Sequence, residues 1–170
     1  MRCPAWVCGL AMLLIAPLIH AAETLHKPLE AGASIAIKGG RTLTLECQLP
    51  RGSAKAAVLN RYLANENDWK RYEKLKSASL PFRDLNPETQ RRVIETIFPG
   101  DYADKAGWWH SVTFEGAAGV ESWWNLAEWL TGRGTNYKTL EAMPENQGYK
   151  GALRKGQVLF IPRNLLKEIF

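Results

Sequence analysis

Cysteine is scarce: the 170 residues hold three, and two of them, Cys3 and Cys8, fall within the first ten positions. Residues 1–21 read as a secretory signal, with Arg2 as the positive n-region, an apolar stretch over 7–19, and Ala21 and Ala22 as small residues for cleavage. That stretch is shorter than the roughly 20 apolar residues a bilayer span requires, and no longer apolar run follows. Lipid anchoring needs small residues before a cysteine at the end of the run, whereas Cys8 lies early and follows Trp6 and Val7. Export to the periplasm or cell envelope is therefore expected, with no stable membrane span after cleavage. Loss of the leader leaves Cys47 alone, which excludes an internal disulfide and leaves stability to ordinary core burial.

Long runs of one charge are also missing. The formal net charge of +5 becomes +4 without Arg2, enough to favour an anionic surface but without the basic run of a nucleic-acid binder. No HExxH, GxSxG or metal-ligand spacing occurs, so no metal and no cofactor are expected. Outside the carboxylates, the mature chain offers His26, His110 and Cys47 for chemistry. An acid pair of the glycosidase kind depends on the fold, and no loop gathers one in an aromatic-lined setting. Catalysis is not expected. Internal repeats and low-complexity tracts are absent as well.

Alternating residues are present from the start of the mature chain. Residues 34–38 and 41–47 alternate around Gly39-Gly40, which predicts a hairpin with Ile35, Ile37, Leu43, Leu45 and Cys47 on one face. Cys47 then reads as a small buried hydrophobe. Ser53 is placed to cap a helix carrying Val58, Leu59, Tyr62 and Leu63. Asn86-Pro87 opens another that carries Val93, Ile94, Ile97 and Phe98 and stops at Pro99-Gly100. The charged segment between them keeps Trp69, Tyr72, Leu75, Leu80 and Phe82 as apolar anchors, too many for a flexible linker. A first unit over 29–104 follows, with its boundary at 99–107.

Five of the seven tryptophans lie within 107–129. Trp108, His110, Val112 and Phe114 share one face of a strand-like run, and Trp109, Ser111 and Thr113 the other. Over 121–130, Trp123, Leu126, Ala127 and Leu130 follow i, i+3, i+4, i+7 and make a core stripe. At 100° per residue Trp124 falls about 100° to one side of Trp123 and Trp129 about 120° to the other, so this helix offers no single platform for both. A ligand site is then expected chiefly from loops. A second helix is predicted over 136–143, with Tyr137, Leu140 and Met143 inward, stopped by Pro144. A turn and short strand over 153–162 complete a strand, helix, helix, strand order. In the tail, Leu165, Leu166, Ile169 and Phe170 would cover one side of a short helix over 164–170 that docks on the first unit.

The stretches GVESWWNLAEWL and LRKGQVLFIP, separated by a helix and a loop, resemble the start and end of a LysM domain, a small peptidoglycan- and chitin-binding module. The likeness covers about a third of the chain and is carried by Gly156-Gln157 with Ile161-Pro162, and by Trp124-Asn125-Leu126-Ala127. With the N-terminal β-hairpin and helices read from the residues, it gives an α+β chain whose second part the resemblance implies to be a LysM-like βααβ domain over 108–163. The resemblance also implies a groove for N-acetylated sugars, with Gly119, Val120, Glu121 and Ser122 on one wall and Met143, Pro144, Glu145, Asn146 and Gln147 on the other. The expected partner is peptidoglycan or a related N-acetylated glycan. Alternatives are an envelope adaptor that binds a protein, or an accessory subunit of a wall hydrolase. The sequence departs from the family where Val120-Glu121-Ser122-Trp123 stands for the usual Gly-Asp/Glu-Thr/Ser-Leu, and where Pro144 falls at the position of a common asparagine.

Overall fold

The computed structural model describes residues 25–114 and 120–170; the expected leader at 1–21 and the predicted groove residue Gly119 lie outside them. The chain is mixed α+β with two antiparallel sheets. The predicted hairpin is β2 (Ala33–Lys38) and β3 (Thr42–Gln48), paired so that Ile35 faces Leu45 and Ile37 faces Leu43. These four residues and Cys47 are buried, as their alternation requires.

The hairpin is the centre of a four-stranded meander. β1 (Leu25–Glu30) adds on one side and β4 (Ser77–Pro81) on the other, in the order β1-β2-β3-β4. Neither outer strand was predicted. β1 contains Pro28, which an edge position tolerates because one side of the strand needs no ladder donor. β4 lies in the charged segment, where Ala78 and Leu80 alone point inward, opposite Cys47 and Leu45. β1 begins at Leu25, four residues ahead of the expected start of the first unit.

Two helices cover this sheet. In α1 (Ala54–Tyr62), Leu59 and Tyr62 are buried; Ser53 holds the cap position but its side chain makes no cap hydrogen bond. α2 (Pro87–Ile97) starts as predicted, with Thr89 N donating to Asn86 Oδ1 at 2.8 Å and proline in the first turn. The Glu30 carboxylate ties β1 to both helices, accepting from the Tyr62 hydroxyl, Arg61 at 3.0 Å and Arg92 at 2.9 Å. The Tyr62 and Arg92 bonds hold the Glu30 pKa below its ordinary value.

The second sheet has the order β5-β6-β7, from β5 (Tyr102–Ala103), β6 (Gly107–Ser111) and β7 (Val158–Pro162). Between β6 and β7 run α3 (Trp123–Thr131) and α4 (Tyr137–Glu141), the latter shorter than predicted and flanked by 3-10 turns. Ser122 caps α3 by accepting from Asn125 N at 3.2 Å, and Gly132 ends it at φ 77°, in the left-handed region. Trp108, Trp123, Leu126, Leu130, Leu140, Leu159 and Ile161 are buried beneath the two helices and the sheet.

One hydrophobic core runs through both sheets. Phe98, at the end of α2, meets the His110 ring edge-on with centroids 4.6 Å apart and stacks near Trp129 at 6.2 Å. Residues 99–107 therefore do not divide two cores: β5 lies within them and pairs with β6. The tail is built from turns, not the predicted helix. It is nonetheless docked, with Phe170 buried 5.1 Å from the Trp108 ring and Arg91 donating to Ile169 O at 3.3 Å.

Candidate functional site

A groove of about 330 Å³ opens between the start of α3 and the segment leading from α4 to β7. Ser122, Trp123 and Trp124 line one side, and Tyr137, Glu141 and residues 151–153 the other. The Trp124 ring is 49% exposed and tilted against Tyr137, with centroids 5.8 Å apart. It can lie there because residue 134 is glycine: a Cβ at that position would meet the indole at 2.4 Å. The 3-10 turn carrying Gly134 is fixed in turn by its amide, which donates to Glu128 Oε2 at 2.7 Å. The aromatic surface thus comes from two helices and not from the loops expected to supply it.

One hydrogen-bonding group of the groove residues remains available. Ser122 Oγ accepts from Asn125 N, and its O–H makes no bond among the described residues. A ligand acceptor reaching that hydroxyl would satisfy it. The Trp123 indole Nε1 has no partner among the described residues either, but it is buried away from the surface.

The first predicted wall is retained in part. Ser122 lines the groove, whereas Val120 is half-buried against the core and its carbonyl accepts from Asn125 Nδ2 at 3.1 Å. Glu121 borders the groove but its carboxylate is committed elsewhere. It accepts from Thr113 N at 2.8 and 2.9 Å and from Phe114 N, and it faces His110.

The second predicted wall, Met143 to Gln147, does not border the groove. Asn146 is wholly buried; its amide donates to Leu140 O and Phe160 O, and its Oδ1 accepts from Phe160 N, each at 2.8 Å. It is the clasp joining the end of α4 to β7, with no atom left for a sugar. Met143 is half-buried, and Pro144, Glu145 and Gln147 are exposed on the turn beyond the groove. Sequence reasoning missed Trp124, Tyr137 and Glu141 as groove residues. The flank position of Trp124 on α3 was the available signal.

Beneath this groove wall lies a buried ionisable triad. His110 Nδ1 is 2.8 Å from Asp101 Oδ2, and Nε2 is 3.3 Å from Glu121 Oε1 at an angle too oblique for a hydrogen bond. The three side chains are 0%, 1% and 1% exposed. Burial lowers the His110 pKa, but the hydrogen bond with Asp101 and the nearby Glu121 charge outweigh it, and the net shift is upward. Asp101 also accepts from Trp108 Nε1 at 2.8 Å and Ser111 N at 3.0 Å. Both ring nitrogens face carboxylates, so neither is placed to take a proton from a nucleophile. Cys47 is equally inert: burial pushes its thiol up to about 11.

No family model, curated protein or solved structure matches the chain.

Proposed function

We propose that the protein is a non-catalytic glycan binder of the bacterial cell envelope that holds peptidoglycan, or a related N-acetylated glycan, in the groove between α3 and the segment from α4 to β7. The observation that carries this reading is the half-exposed Trp124 beside Tyr137, with the Ser122 hydroxyl lining the same groove. Sugar rings present C–H faces that cover aromatic surface, while their acetamido and hydroxyl groups need polar partners; the groove offers both within about 330 Å³. The LysM resemblance puts a groove in the same general region, between the first strand-to-helix segment and the second helix-to-strand segment. The expected sugar contacts shift, however, from the turn at 143–147 to Trp124, Tyr137 and Ser122. One groove of this kind, without a second to raise the local concentration, would give weak binding.

Cosedimentation with insoluble peptidoglycan at low salt tests the reading. Wild-type protein should pellet with the polymer, and Trp124→Ala should weaken binding by about tenfold, equivalent to ~1.4 kcal/mol. Because Trp124 is half-exposed, the variant should remain folded. Wild-type protein left in the supernatant, or a folded Trp124→Ala that pellets as well as wild type, overturns the proposal.

A further inference from the structure

We propose that a second cleft, where β3, β4, α2, α3 and the C-terminal tail meet, binds a small aliphatic carboxylate, with the acid group at Lys167 and Arg41 and the chain on Phe82 and Trp129. The cleft has a volume of about 660 Å³, within the range of small-ligand sites, and Leu43, Phe82, Trp129 and Ile169 give it an apolar lining. It shares no lining residue with the glycan groove, although a hollow bordered by Arg41, Ser122, Trp124 and Trp129 adjoins both, and it does not rest on the glycan reading.

The charges around it do not balance. Arg41, Arg83 and Lys167 border the cleft against a single lining acid, Glu128, whose Oε2 is already engaged by Gly134 N; Arg83 pairs with Asp84 at 3.6 Å, which leaves Arg41 and Lys167 without an ion-pair partner among the described residues. Lys167 is the informative cation. Its Nζ donates to Gln90 Oε1 at 2.9 Å and sits 4.9 Å from the Phe82 ring centroid, but it makes no ion pair among the described residues. Burial pulls its pKa down to about 8, with the Glu128 charge opposing. A partly buried ammonium normally has an anion beside it, because desolvation without pairing is costly. Here a bound carboxylate would supply that anion. The lining also favours an apolar body over a sugar: the Gln90 amide is spent at both ends, on Lys167 and on Leu85 O at 2.8 Å.

Binding of decanoate, below its micelle concentration, is measured by calorimetry and by the fluorescence of the intact chain. Decanol, with the same chain and no charge, should bind at least tenfold more weakly. Lys167→Met keeps the aliphatic stem and should lose at least tenfold in decanoate affinity, while Lys167→Arg should retain most of it. Arg41→Gln, on an exposed residue, provides a second test of the charge, with a loss of several fold. The proposal is overturned if decanoate does not bind the wild-type protein, or if decanol binds equally well. Undiminished decanoate binding by both Lys167→Met and Arg41→Gln overturns it too.

Discussion

Replacing His110 with glutamine keeps the approximate volume and removes the imidazole between two buried carboxyl groups. Breaking a buried ion pair by deleting one partner ordinarily costs about 3–5 kcal/mol, because the other charge is left uncompensated. The lower end applies here. Asp101 retains the Trp108 indole N–H and the Ser111 amide, and Glu121 retains the amides of Thr113 and Phe114, so neither carboxylate is stripped of donors. The expected loss is about 3 kcal/mol near pH 6, or roughly 6–12 °C in Tm for a chain of this size.

The pH dependence follows from the direction of the His110 shift. Its folded pKa is raised above the ordinary 6.5, so the triad's ionic contribution is fully present below about pH 6.5 and disappears as pH rises through the folded value. The gap between wild type and His110→Gln should therefore be widest near pH 6 and should narrow in alkali. Urea unfolding followed by tryptophan fluorescence at a series of pH values measures both quantities. A gap under 1 kcal/mol at pH 6, or one that stays constant into alkali, would refute a charged His110 in the folded protein.

Three further substitutions probe the fold. Asn146→Ala leaves Leu140 O, Phe160 O and Phe160 N without their buried partner and should cost about 3 kcal/mol by urea unfolding, while Gln147→Ala on the exposed turn should stay within about 0.5 kcal/mol. Phe170→Ala removes the ring that covers Trp108 and should cost about 3 kcal/mol in the same assay, with a single transition because both sheets share one core. Two separate transitions would contradict the shared core.

The legible parts of the chain were those in which one local pattern decides the structure. The β2–β3 hairpin follows from alternation around Gly39-Gly40, α2 from its Asn86-Pro87 cap, and the core stripe of α3 from Trp123, Leu126, Ala127 and Leu130. The obscured parts depend on contacts distant in sequence. Trp129 reads as an edge residue of an isolated helix but is buried, because Phe98 from α2 covers it. Asn146 sits in a Pro-Glu-Asn turn that reads as solvent-facing; Phe160, fourteen residues later, supplies the backbone that draws it inward. β4 carries too few inward residues to announce a strand until β3 lies alongside it. The groove's first wall was partly readable because it follows the cap of α3, whereas its second wall depends on where α4 turns.

The triad and the groove share Glu121, which gives the buried charges a role in positioning the surface. Its carboxylate holds the amides of Thr113 and Phe114 at the end of β6, and the next residue, Ser122, caps α3 and lines the groove. Asp101 grips the same strand from the other end of the triad through Trp108 and Ser111. His110 lies between them, with Asp101 of the stretch after α2 on one ring nitrogen and Glu121 at the entry of α3 facing the other. An apolar substitute could fill that volume, but it would leave Asp101 Oδ2 without the imidazole. The triad thus packs directly beneath the residues that start α3, and Ser122, Trp123 and Trp124 line the groove from that fixed start.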